Sequence, residues 1–116
     1  MTDLQARLRA DLITARKARD TAATAVLRST LSAISNAEAL PVEEASPTSD
    51  GPIAGAATGV GTTEAVRRAL TDDDIRAIIS GEQAERTSAA TDLESHGAEE
   101  KAEQLRAEAE LLAAYL

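Results

Sequence analysis

The sequence predicts an all-α fold of four helices, arranged as two hairpins joined by a Pro/Gly-rich linker. Three observations carry this reading. Alanine supplies 26 of the 50 residues that count as hydrophobic, and there is one Tyr and no Phe or Trp. Alanine loses no side-chain entropy in a helix, straight-chain Leu, Glu, Gln and Arg lose little, and strand-favouring aromatics are nearly absent. Four separate segments repeat apolar residues at helical spacing. All three prolines and four of the six glycines fall between residues 41 and 63, where no period is visible.

The first helix is expected from about Leu4 to Ala18, where Leu4, Leu8, Leu12 and Ala15 form one face and Thr2 or Asp3 is available as N-cap. Asp20 is placed to cap a second helix, Thr21 to Ala39, with its stripe at Ala23, Val26, Leu27, Thr30, Ile34 and Ala37. The short Ala18-Arg19-Asp20 junction predicts an antiparallel hairpin over 1–40 or a kinked continuation. Pro41 ends it, because a proline in the next turn loses a hydrogen bond and clashes. Residues 41–63 read as a linker, mobile or laid extended over the helices.

The second hairpin is expected over 64–116. Thr71-Asp72-Asp73-Asp74 opens its first helix like a capping box, with carboxylates in the first turn where the helix dipole favours them. Ile75, Ile78, Ile79, Ala89, Ala90 and Leu93 share one face, and His96-Gly97 supplies the stop. The last helix is expected from about Ala98 to Leu116. Its stripe is Ala98, Ala102, Leu105, Ala109, Leu112 and Leu116, with Leu111 and Tyr115 forming a second strip. Two strips on one helix indicate two neighbours.

At 116 residues the chain is one domain, 1–116, with a thin core, because alanine buries little area. A thin core favours a partner or a homo-oligomer. No stretch approaches the roughly 18 apolar residues of a membrane span, and the polar start Met1-Thr2-Asp3-Leu4-Gln5 is no secretory signal. There is no cysteine to mark an oxidising compartment. A cytoplasmic location is expected by elimination.

Charge is lopsided. Residues 1–40 carry six basic and four acidic side chains, a net of +2, and residues 41–116 carry six and sixteen, a net of −10. An acidic surface repels a phosphate backbone, so only the first third is expected to face RNA.

Candidate sites are few. Asp72, Asp73 and Asp74 are adjacent on a helix and point in different directions, so they do not converge on a metal ion. His96, the only histidine, has no cysteine or second histidine to join. Gly59-Val60-Gly61-Thr62-Thr63-Glu64 lacks the third glycine of a dinucleotide loop, and no Gly-Lys-Ser/Thr follows Gly55. No catalytic residue, metal or cofactor is expected. Glu82 and Arg86, spaced i, i+4 inside an apolar stripe, are the exception to a plain helical surface. Two accounts fit them: a partly buried ion pair that fixes helix register, or a pair facing a groove that receives a partner.

An ordered set of short pieces resembles the GatB/YqeY (YqeY-like) family. The pieces are Leu8-Arg9-Ala10-Asp11-Leu12, Ala15-Arg16-Lys17-Ala18-Arg19-Asp20, Val26-Leu27-Arg28 and Leu31-Ser-Ala-Ile-Ser-Asn-Ala-Glu38. After the linker come Leu70-Thr-Asp-Asp-Asp-Ile75, Glu82 with Arg86, and Leu111-Leu-Ala-Ala-Tyr-Leu116. They cover 1–40 and 64–116 in the family's order. The family's pattern lacks the 41–63 insert and continues past the Tyr-Leu with a proline and a second small helical domain.

The resemblance implies the N-terminal helical half of a YqeY-like protein. That family is related to the tail of the B subunit of the tRNA-dependent amidotransferases, whose label is carbon–nitrogen ligase activity with glutamine as amido-N-donor. In those enzymes the tail engages tRNA, and the chemistry sits elsewhere. A non-catalytic helical module in that setting is therefore expected. Its implied partners are amidotransferase components or tRNA, held weakly and salt-dependently through Arg9, Arg16, Lys17, Arg19 and Arg28. A helical interaction or adaptor protein with no tRNA role is the alternative.

Overall fold

The computed structural model describes residues 2–39 and 68–116. The expected linker, 41–63, lies outside the described residues. Those residues form four helices, α1 (Asp3–Lys17), α2 (Thr21–Ala39), α3 (Asp72–Ser95) and α4 (Glu99–Ala113), and no strand. The fold is all-α.

Local chemistry sets the helix ends. The Thr2 hydroxyl accepts from the Gln5 amide at 3.1 Å and starts α1. Asp20 Oδ1 accepts from the Ala23 amide at 3.1 Å and starts α2. At α3 the box is reciprocal: Thr71 Oγ1 accepts from the Asp74 amide at 3.1 Å and Asp74 Oδ2 accepts from the Thr71 amide at 2.9 Å. The bond from the Thr71 amide first, and then the Thr71 hydroxyl beside it, hold the Asp74 carboxyl below its ordinary pKa. By contrast α4 begins at Ala98 with no side-chain cap.

The exits of α1 and α3 share one backbone design. Asp20 N–H reaches the Ala15 carbonyl and Arg19 N–H the Arg16 carbonyl, which closes α1. Ala98 N–H reaches Leu93 and Gly97 N–H reaches Glu94, which closes α3. Each is the paired bond set that satisfies the last carbonyls through one left-handed residue. That residue is Gly97 at φ +83° after α3, and Arg19 at φ +59° after α1.

Within each hairpin the helices pack along their lengths, α1 on α2 and α3 on α4, and the hairpins meet through α2 and α1 on α3 and α2 on α4. One apolar cluster seals the junction. Leu8, Val26, Ile34, Ile75, Ile79 and Leu112 are fully buried at its centre, with Leu4, Ala15, Ala23, Leu27 and Tyr115 around them. Thr30 is buried among them because its hydroxyl donates to the Val26 carbonyl at 2.9 Å. Farther along the second hairpin only small residues, Ala90, Ala102 and Ala109, are buried, outside that cluster.

The structure corrects one boundary. The last helix stops at Ala113 rather than running to Leu116. Leu116 therefore leaves the stripe and is 51% exposed, while Tyr115 turns inward.

Candidate functional site

The five cations singled out on the first hairpin are all exposed, and the fold sorts them into groups. Arg16 in the last turn of α1, Arg19 in the junction and Arg28 on α2 surround one open concavity of about 470 Å³. Thr21, Thr24 and Ala25 complete its lining. Residues 21, 24, 25 and 28 follow the i, i+3, i+4, i+7 pattern of one helix face, so α2 presents them together. Lys17 joins Arg16 and the exposed Ile13 around a neighbouring depression. Arg9 borders neither.

Charge around this tip is one-sided. Among the described residues no carboxylate stands within 4.0 Å of Arg9, Arg16, Lys17, Arg19 or Arg28; the ion pairs all lie on the second hairpin. The acids of the tip are turned elsewhere. Asp20 caps α2 and lines a separate cavity with Asp11, Ala23, Leu27 and Tyr115.

Asp11 accepts a hydrogen bond from the Tyr115 hydroxyl, which joins α1 to the residues just past α4. Burial first, then that bond and the Asp11 charge, push the Tyr115 pKa well above its ordinary value. Arg7 is spent on the same clasp. Its guanidinium sits 4.5 Å from the Tyr115 ring centroid and donates to the Ala114 carbonyl at 3.3 Å.

Glu82 and Arg86 meet, with Arg86 Nη1 3.0 Å from Glu82 Oε1. Sequence reasoning missed their two further partners. Arg86 Nε donates to Glu108 Oε1 of α4 at 3.1 Å, and Ser29 Oγ of α2 donates to Glu82 Oε1 at 3.0 Å. The three charged side chains keep only 13–15% of their exposure. One polar hub thus ties α2, α3 and α4 together. A signal for Glu108 was present: it stands between Leu105 and Leu112 at i+3 and i+4, an acid inside the α4 stripe as Glu82 is inside that of α3.

The remaining candidates are used structurally. Asp74 is in the capping box, and Asp73 pairs with Arg76 at 3.1 Å. His96 Nδ1 donates to the Asp92 carbonyl at 2.8 Å, at the C-cap of α3. Among the described residues no three His, Cys, Asp or Glu side chains gather as a metal site would require. No described helix is long and apolar enough to cross a membrane.

No family model, curated protein or solved structure matches this chain. The functional reading therefore rests on the geometry above and on the ordered sequence pieces.

Proposed function

We propose that the chain is a cytoplasmic, non-catalytic helical module of the tRNA-dependent amidotransferase setting that the GatB/YqeY resemblance implies, and that it touches tRNA with its first hairpin. One observation carries the reading. On a chain of net charge −8, the exposed cations of the first hairpin have no carboxylate within 4.0 Å among the described residues, and three of them share a concavity. A basic face held apart from the acidic remainder is the electrostatic footprint of a polyanion partner.

The reading assigns no glutamine chemistry to this chain. Glutamine hydrolysis takes an activated nucleophile, a base and an oxyanion pocket. There is no cysteine, and the one histidine is engaged at a helix end.

The test is a tRNA titration across salt. If about three phosphates are neutralised, log affinity should fall against log salt with a slope of roughly −2 to −3. Replacing Arg9, Arg16, Lys17, Arg19 and Arg28 together should abolish binding and leave the helical spectrum unchanged. Affinity indifferent to salt, or glutaminase turnover by the purified protein, overturns the reading. A second reading, a protein adaptor with no tRNA role, is favoured by Ile13, 54% exposed between Arg16 and Lys17. Capture of amidotransferase subunits without tRNA from native cytosol selects it.

A further inference from the structure

We infer that Arg16, Arg19 and Arg28, with the hydroxyls of Thr21 and Thr24, form a binding site for a phosphate group carried on a larger ligand. The RNA occupant of this site rests on the reading above; its phosphate chemistry does not.

Arg19 is the residue that the fold alone does not explain. It occupies the left-handed position after α1, at φ +59°, where the equivalent position after α3 is Gly97. A residue with a Cβ is strained there, and glycine is the usual occupant. The backbone bonds that close α1 are main-chain bonds and gain nothing from a guanidinium. What the arginine adds is a third cation on the concavity that Arg16 and Arg28 already border.

Dipole compensation accounts for a cation in the last turn of α1, where Arg16 stands. It does not account for Arg28, in the middle of α2, or for Arg19 beyond the helix end. The shape narrows the ligand. A carboxylate is satisfied by one bidentate arginine, whereas a phosphate presents enough oxygens for several forks and hydroxyls at once. Ala25 supplies a small residue between Thr21 and Arg28, so the depression is open, and about 470 Å³ exceeds a lone phosphate and accommodates what it is attached to.

The test follows amide and arginine Nε–H signals of the full chain by NMR during titration with three probes. These are inorganic pyrophosphate, a 5′-phosphorylated hexaribonucleotide, and the same oligonucleotide without its terminal phosphate. Shifts confined to residues 16–28 are expected with the first two, and weaker ones with the third, whose phosphodiesters each carry a single charge. Arg19→Gly and Ala25→Glu should each weaken both by about tenfold or more, the loss typical of one charge-assisted bond. Arg19→Gly removes the strain as well as the charge, so it should melt no lower than the parent, and lost binding is then not lost folding. Arg76→Gln, on the second hairpin, should bind as the parent does.

Pyrophosphate shifts scattered over the surface, or an Arg19→Gly variant of undiminished affinity, overturn the site. If tRNA still binds in that case with its salt slope, the RNA reading survives without this site. If pyrophosphate binds at the tip and tRNA does not bind at all, the site stands for a phosphorylated small molecule and the RNA reading falls.

Discussion

At the scale of single residues, Arg86 carries a large polar stake in the fold. It stands between Glu82 and Glu108, and removing it leaves two mostly buried carboxylates facing each other without a cation. Breaking a buried pair from one side is costly because the abandoned charge keeps its desolvation penalty. Each partner here retains 13–15% exposure, which places Arg86→Ala at the low end, about 2–3 kcal/mol. Ser29→Ala removes one donor from Glu82 and should cost about 1 kcal/mol. Urea unfolding of both variants checks this, and a cost for Arg86→Ala no larger than that for Ser29→Ala contradicts it. Tyr115 makes a second residue-scale prediction. Its folded pKa is raised, so its contribution is complete below the unfolded value of about 10 and is lost as pH rises toward the folded one. Stability should therefore fall on the alkaline side above about pH 10, and Tyr115→Phe should flatten that limb. As the only tyrosine, its ultraviolet titration reports the group directly.

At the scale of elements, the caps show what was legible in the chain. Asp20, Thr71 and the His96-Gly97 stop are local signals, readable because a cap acts on amides or carbonyls a few residues away. The helix stripes were readable for the same reason. What was not legible depends on other elements: Glu108 against Arg86, Asp11 against Tyr115, and Gln5, buried beside Glu38 with its amide donating at 3.4 Å. Of the site, the sequence marked the five cations but not their grouping. Arg16, Arg19 and Arg28 come together only once α1 turns back on α2, and Arg9 stays apart. The left-handed Arg19 had no signal, since that position usually announces itself with glycine. The caps also expose a weak element. Three helices begin on a side-chain acceptor, and α4 begins on Ala98 without one. Ala98→Ser should raise stability by about 1 kcal/mol, read as a shift in the urea midpoint at unchanged slope.

At the scale of the whole molecule, charge distribution sets two responses to salt that have opposite signs. The two packed helices of the second hairpin carry twelve acidic and four basic side chains, a net of −8. The 24 residues of α3 span about 36 Å. At 10 mM salt the screening length is about 30 Å, so charges along nearly the whole hairpin repel one another; at 0.1 M it is about 10 Å, and only neighbouring turns interact. Screening also weakens attractions, but the exposed pairs it reaches are Arg76–Asp73 and Arg106–Glu94, each worth about 0–1 kcal/mol. The hub around Arg86 is mostly buried and is screened much less. Repulsion is therefore the larger quantity that salt removes. The melting temperature should rise by about 2–5 °C between 10 and 150 mM sodium chloride, given that a domain of this size shifts roughly 4–8 °C per kcal/mol. Over the same range tRNA affinity should fall, because that contact is made by the cations of the other hairpin. Thermal melts and tRNA titrations on one set of buffers separate the two effects. A melting temperature that falls with salt would mean that the ion pairs, not the acidic excess, dominate the electrostatics of the second hairpin.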